Sequence, residues 1–515
     1  MRETFISSTA NPSRKSILSN GAGGINPYVS FFLLAILLYL PSCFLRGLFY
    51  PDEARGLFIT RNMHALADFL FPRYLNGIYY QKPPFYFWIL HLLSRIPVNN
   101  YLMFPVLLNT FVCFGIMSLN YLFFKKEGAP DAGFLSSIML STTVIFYGMG
   151  ILVRMDILFL FLIFLSLYFL WAFIKEGKEH QLIFSASFIF LSVFTKGAFG
   201  IIFPLFLGVG AALFLKERNS LPRALLANGL GALFIIIWLS VFNYVHPGYI
   251  THMVFTQTLA RGVSPFSHKQ PFYYYLMFLI PLFLPWSFIG MGYFSVVKKR
   301  TFSFLEKLLM LWFVGGFLIL SMVSSKLPMY LLLLTIPFAG LCAQFLVKGK
   351  ERHKFFLLYV TAGFFVLVFI CACIYFKVKK EFIPGPAYIA IVLFLAAAVF
   401  MFKRKADYKF RAFFITWFVF IQLMNFIYLP LASRHYDYNG VAEFLKKANF
   451  DISKIYVDEE KLLLLSAYSL KAKVVYVENR EDFAKEKDII FISRNRKPIL
   501  FSKVAKIGSF FIFYR

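Results

Sequence analysis

Several short stretches place acids and bases where apolar runs end, and that pairing suits phosphate and proton chemistry. Tyr50-Pro51-Asp52-Glu53-Ala54-Arg55 directly follows an apolar run. A proline and two acids make a good helix start, because carboxylates favour the positive end of the helix dipole. Asp52 and Glu53 at a membrane exit could equally bind a cation or take a proton from an acceptor. Tyr79-Tyr80-Gln81-Lys82-Pro83-Pro84 holds Lys82 before two rigid prolines, either as an interfacial anchor among aromatics or as a partner for a phosphate. Val153-Arg154-Met155-Asp156 puts opposite charges between two apolar runs, where they are costly unless paired with each other or used. Lys196-Gly197 interrupts a further pair of runs, and Lys196 reads as a snorkelling side chain or a phosphate ligand. The stretch 246–271 carries His246, His252, Arg261, His268 and Lys269, with His268 just before Gln270-Pro271-Phe272. Ser324-Ser325-Lys326-Leu327-Pro328 adds Lys326.

The elements that must position these groups are membrane helices. Of 515 residues 59% are hydrophobic and only 15% are charged, and Phe alone occurs 69 times. Mean hydropathy is +0.69. A soluble domain carries roughly 25% charged residues, so this composition belongs in a bilayer. Apolar runs of about 20 residues, the length that crosses a bilayer core as a helix, recur along the chain. We place spans at 29–49, 101–124, 132–152, 156–174, 181–195, 197–215, 224–245, 272–295, 305–323, 328–347, 354–376, 385–402 and 410–431, about thirteen in all. The net charge of +28 would suggest nucleic acid in a soluble protein. Here Lys and Arg cluster in alternate short loops, which marks those loops as cytoplasmic, so no nucleic-acid partner is expected. Five cysteines, Cys43, Cys113, Cys342, Cys371 and Cys373, lie in or beside apolar runs and read as packing residues.

The basic-loop pattern places the N-terminus inside and the singled-out charged groups on the outer side. The long first outer loop, 50–100, and Lys196 break the positive-inside pattern and need another reason for their charge. Residues 1–27 are polar and read as a cytoplasmic tail, and residues 28–431 as the membrane domain. Composition changes after residue 431, and eleven of the 25 acidic residues follow it. Short β-like runs at Lys454–Val457, Lys473–Val477, Ile489–Ser493 and Phe510–Tyr514, with a helix-like Val441–Lys447, point to a small C-terminal α/β soluble domain over 432–515 on the outer, periplasmic face. The expected fold class is therefore an all-α polytopic membrane protein with that small α/β domain appended. A transporter would bury its polar groups at the midplane of broken, repeated helices. No such pattern is visible.

In family order, Pro51-Asp52-Glu53-Ala54-Arg55, Lys82-Pro83-Pro84, Arg154-Met155-Asp156, Lys196-Gly197, His268 with Gln270-Pro271-Phe272, and Ser325-Lys326-Leu327-Pro328 resemble the bacterial GT-C glycosyltransferases. These are related to protein O-mannosyltransferases, and the likeness is greatest to the lipid A aminoarabinose transferase group. The resemblance covers about residues 28–345. It implies catalytic roles for Asp52 and Asp156, with Arg55, Lys82 and Lys196 binding the phosphate of the donor. It sets Glu53, Arg154, His268 and Lys326 around the same cavity. It also implies a possible divalent cation resting on His268. Gln81 stands where these transferases usually carry Glu, and neutral Gln is a poor ligand for zinc.

The resulting expectation is an enzyme of the bacterial inner membrane that moves a monosaccharide from a polyprenyl (undecaprenyl) phosphate to an envelope acceptor, lipid A foremost. A protein hydroxyl is the second acceptor, and a transporter or flippase of lipid-linked sugars is the rival class. No nucleotide sugar is needed, in keeping with the lack of a Gly-rich phosphate loop before a helix.

Overall fold

The computed structural model describes residues 26–48, 51–74, 77–96, 100, 102–260, 269–296, 301–348, 360, 363, 406–423, 425–426, 429–430, 438–447, 454–457, 473–476, 490–493, 503–507 and 510–514. The expected spans 354–376 and 385–402 fall almost wholly outside them, as do Cys371, Cys373, Arg261 and His268.

The chain enters through α1 (Pro27–Tyr39) and α2 (Ser42–Leu45), then runs along the first loop as α3 (Pro51–Arg61), α4 (Leu66–Leu70), a two-strand hairpin of β1 (Arg73–Tyr74) and β2 (Gly77–Ile78), and α5 (Phe85–Leu93). The helical body follows: α6 (Met103–Lys126), α7 (Pro130–Ser141), α8 (Val144–Ile151), α9 (Asp156–Glu176), α10 (Glu179–Lys196), α11 (Phe199–Phe214) and α12 (Ser220–Val245). After it come α13 (Leu276–Leu282), α14 (Ser287–Val296), α15 (Phe304–Met310), α16 (Gly316–Met322), α17 (Thr335–Lys348), α18 (Ala406–Leu423) and α19 (Tyr438–Lys447). Among the described residues six helical stretches are long and apolar enough to cross a membrane, or eight if two bent pairs each count as one span.

Those bent pairs depart from the sequence expectation of straight spans. The run 132–152 breaks at Thr142-Thr143, and α7 and α8 differ in direction by 61°. Both threonine hydroxyls donate back to carbonyls of α7, at Ile138 and Met139. The Val144 amide turns away to Leu284 O at 2.9 Å, and Trp286 Nε1 and Trp417 Nε1 both donate to Thr142. The break is thus fully hydrogen-bonded, as backbone inside a bilayer must be. The run 272–295 folds back by 117°, where Pro281 and Pro285 remove two backbone donors.

Helix α9 is the central post. Sixteen of its residues are buried, from Asp156 to Ile174, and Gly177 ends it in the left-handed region at φ 73°. It packs against α10, α6 and α11. Cys43, Cys113 and Cys342 are buried free thiols. Near the C-terminus, β3 (Lys454–Val457), β4 (Lys473–Tyr476), β5 (Ile490–Ser493), β6 (Lys503–Ile507) and β7 (Phe510–Tyr514) form one sheet in the order β4-β3-β5-β7-β6. Strand β3 is parallel to β4 and β5, and β7 is antiparallel to β5 and β6.

Candidate active site

Four segments far apart in sequence converge on one cavity of about 710 Å³. The first turn of α3 supplies Asp52 and Arg55. The turn before α5 supplies Gln81 and Lys82. The α8–α9 connection and the start of α9 supply Arg154 and Asp156, and the last residue of α10 supplies Lys196. Local sequence explains each placement. Pro51 opens α3 and sets the two acids at its positive end. Pro83 and Pro84 fix the direction from which Lys82 arrives. Gly197, at φ 118° and ψ −154°, stops α10 just after Lys196, in a conformation that L side chains rarely adopt.

The charges form one connected chain. Arg154 Nη1 meets Asp52 Oδ2 at 2.7 Å, and Arg154 Nε meets Asp156 Oδ2 at 3.0 Å. Lys196 Nζ donates to Asp156 Oδ1, so both oxygens of that carboxylate are engaged. Arg55 Nη1 lies 3.6 Å from Asp52 Oδ1 and donates to Gln81 Oε1 at 3.5 Å. Burial opposes the Arg154 charge, but Asp156 and Asp52 outweigh it and hold the guanidinium above its ordinary value. The side chains are graded by depth: Asp52 is 51% exposed, Arg154 and Lys196 12%, and Asp156 3%. Lys196 also sits over the rings of Tyr330 and Phe159, at 5.2 and 5.6 Å from their centroids.

Eight of the expected residues divide cleanly. Asp52, Arg55, Lys82, Arg154, Asp156 and Lys196 all line the cavity. Glu53, expected at it, does not. It is fully buried behind the wall, its carboxylate gripped by Arg46 at 2.7 and 3.2 Å and by the Val153 amide at 2.8 Å. Lys326 is likewise turned away from the lining, which takes its neighbours Ser325 and Leu327 instead. Its ammonium donates to Gln270 O at 3.0 Å, and burial pulls it below its usual range. His268 lies outside the described residues. Sequence reasoning missed Arg46, which lies inside the apolar run 29–49, and Tyr79, whose hydroxyl donates to Gln81 Oε1 at 3.5 Å.

Among the described residues no three of His, Cys, Asp and Glu gather as a metal set. The donors present also suit a divalent cation poorly. Both cavity carboxylates are taken by Arg and Lys, and the Gln81 carbonyl faces Arg55 and Tyr79.

Comparison with known proteins places this geometry. The family described as dolichyl-phosphate-mannose-protein mannosyltransferase matches residues 81–243. The chain is 26% identical over 427 residues to an uncharacterized protein of Aquifex aeolicus (strain VF5), covering 80% of each. It is 26% identical to the undecaprenyl phosphate-alpha-4-amino-4-deoxy-L-arabinose arabinosyl transferase of Wigglesworthia glossinidia brevipalpis, over 69% of this chain and 66% of that one, a little under two thirds of that relative's length. The crystal structure of ArnT from Cupriavidus metallidurans bound to undecaprenyl phosphate superposes with a TM-score of 0.76 at 15% identity, covering 94% of this chain and 97% of that one. The apo form of the same protein gives 0.71. The fold is that of the GT-C membrane glycosyltransferases, and over residues 81–243 the sequence is similar to their mannosyltransferase family. Within that class the chain is ArnT-like.

Proposed function

We propose that this chain transfers a monosaccharide from undecaprenyl phosphate to an envelope acceptor, lipid A, at the periplasmic face of the inner membrane. The observation that carries the reading is the cavity's charge arrangement. Four cationic side chains, Arg55, Lys82, Arg154 and Lys196, surround two carboxylates, Asp52 and Asp156. An excess of two positive charges suits a phosphate that gains negative charge as it departs. The arabinosyl transferase relatives are named for an undecaprenyl phosphate donor, which supports the same reading.

In this mechanism an acceptor hydroxyl attacks the anomeric carbon of the donor. The bond from that carbon to the phosphate oxygen breaks, and its electron pair leaves with the undecaprenyl phosphate. The hydroxyl proton passes to Asp52, the half-exposed carboxylate at the mouth, which acts as base or orienter. Lys82, Arg55 and Lys196 bind the phosphate. Asp156, held on both oxygens, positions Lys196 and Arg154, and Arg154 in turn aims Asp52. The N-terminal residues 1–27 are cytoplasmic and residues 432–515 form a periplasmic domain. A protein hydroxyl is the second acceptor, favoured by the family match over 81–243.

Mass spectrometry of lipid A from a deletion strain tests the acceptor. The expected result is loss of one sugar substituent, restored by the wild-type gene. Unchanged lipid A with loss of a protein-linked sugar would move the acceptor to protein.

A further inference from the structure

The deep wall of the cavity holds a group that the mechanism above does not use. Tyr86, in the first turn of α5, lines the cavity and is 1% exposed. Its hydroxyl has no hydrogen-bond partner among the described residues. An unmet buried hydroxyl is costly, and this one lines the cavity, where a bound ligand can meet it. The hydroxyl is in its neutral form, because burial pushes it well above the usual range, and Glu53 and Asp156 add to that push. It can therefore donate one hydrogen bond and accept others.

The charged groups near it are already committed. Asp156 is bonded on both oxygens, and Arg154 is shared between Asp156 and Asp52. The donor phosphate is served by the cations. What remains for Tyr86 is an uncharged hydrogen-bonding group carried into the cavity with the phosphate.

We infer that Tyr86 is a sugar ligand: its hydroxyl bonds a ring hydroxyl of the transferred monosaccharide at the inner end of the cavity. This rests on the sugar-transfer reading. It makes Tyr86 a residue that distinguishes the loaded carrier from the spent one, since the spent carrier has no sugar to offer.

The test compares purified wild-type protein with Tyr86→Phe, which keeps the ring and its packing and removes only the hydroxyl. Two probes are titrated in detergent: sugar-free undecaprenyl phosphate, and undecaprenyl phosphate carrying aminoarabinose or mannose. The variant should bind the sugar-free carrier as the wild type does and bind the better sugar-bearing carrier about tenfold more weakly, the effect of one lost hydrogen bond. Equal weakening toward both carriers would mean a packing or phosphate role and overturn the assignment, and so would unchanged affinity for both. A wild-type protein that binds neither carrier would overturn the transfer reading itself, and this assignment with it.

Discussion

Asp52 and Glu53 are adjacent in sequence and opposite in fate. Asp52 reaches the cavity mouth, while Glu53 turns inward to a fully buried ion pair with Arg46. Arg46 also donates to Ile151 O at 2.6 Å, and Glu53 accepts from the Val153 amide. This pair therefore ties the start of α3 to the connection that carries Arg154. Removing one partner of a buried ion pair leaves an uncompensated charge and costs about 3–5 kcal/mol. Glu53→Gln should lower the thermal midpoint of the detergent-solubilised protein markedly, and a midpoint equal to wild type would show that the pair is dispensable. The motif Pro51-Asp52-Glu53-Ala54-Arg55 made the region legible in sequence but could not divide the two acids. That division depends on Arg46, which has no motif, and on which face of α3 meets the α8–α9 connection at Val153. Tyr86 was hidden for a related reason, because it sits in the aromatic run Phe85-Tyr86-Phe87-Trp88 where a packing role is the default.

At the scale of elements, apolar runs gave most helices within a few residues, because burial and length dominate there. The bend at 142–143 was not legible, since it depends on hydrogen bonds to distant helices, whereas Pro281 and Pro285 gave a signal for the bend at 283–286 that the span reading passed over. Strand β6 was also missed. Lys503-Val504-Ala505-Lys506-Ile507 is half polar, although Gly508-Ser509 before the apolar β7 is a hairpin signal that could have found it. One element boundary matters directly to the site. Gly197 stops α10 after Lys196 with φ 118°, and a Cβ there would meet nothing within 4 Å. Gly197→Ala should therefore act through backbone strain of about 1–3 kcal/mol and not through crowding. The expected outcome is a raised KM for the polyprenyl donor as Lys196 loses its aim. Wild-type KM and thermal midpoint in this variant would show that the backbone relaxes without moving Lys196.

At the scale of the whole molecule, the proposed orientation puts the basic loops in the cytoplasm and the cavity groups in the periplasm. Alkaline phosphatase fused after residue 432 should be active and one fused near Lys299 inactive, as the charge pattern requires. The reverse result would place the cavity in the cytoplasm. Sugar transfer is read directly in a reconstituted system. Purified protein is reconstituted into liposomes with lipid A and undecaprenyl phosphate carrying labelled aminoarabinose, and label on lipid A is followed for wild type and Asp52→Asn. Wild type should give labelled lipid A, and Asp52→Asn a rate at least about 100-fold lower, as for loss of a general base. Label that crosses the bilayer still attached to its carrier, with none on lipid A, would contradict sugar transfer and make the protein a transporter.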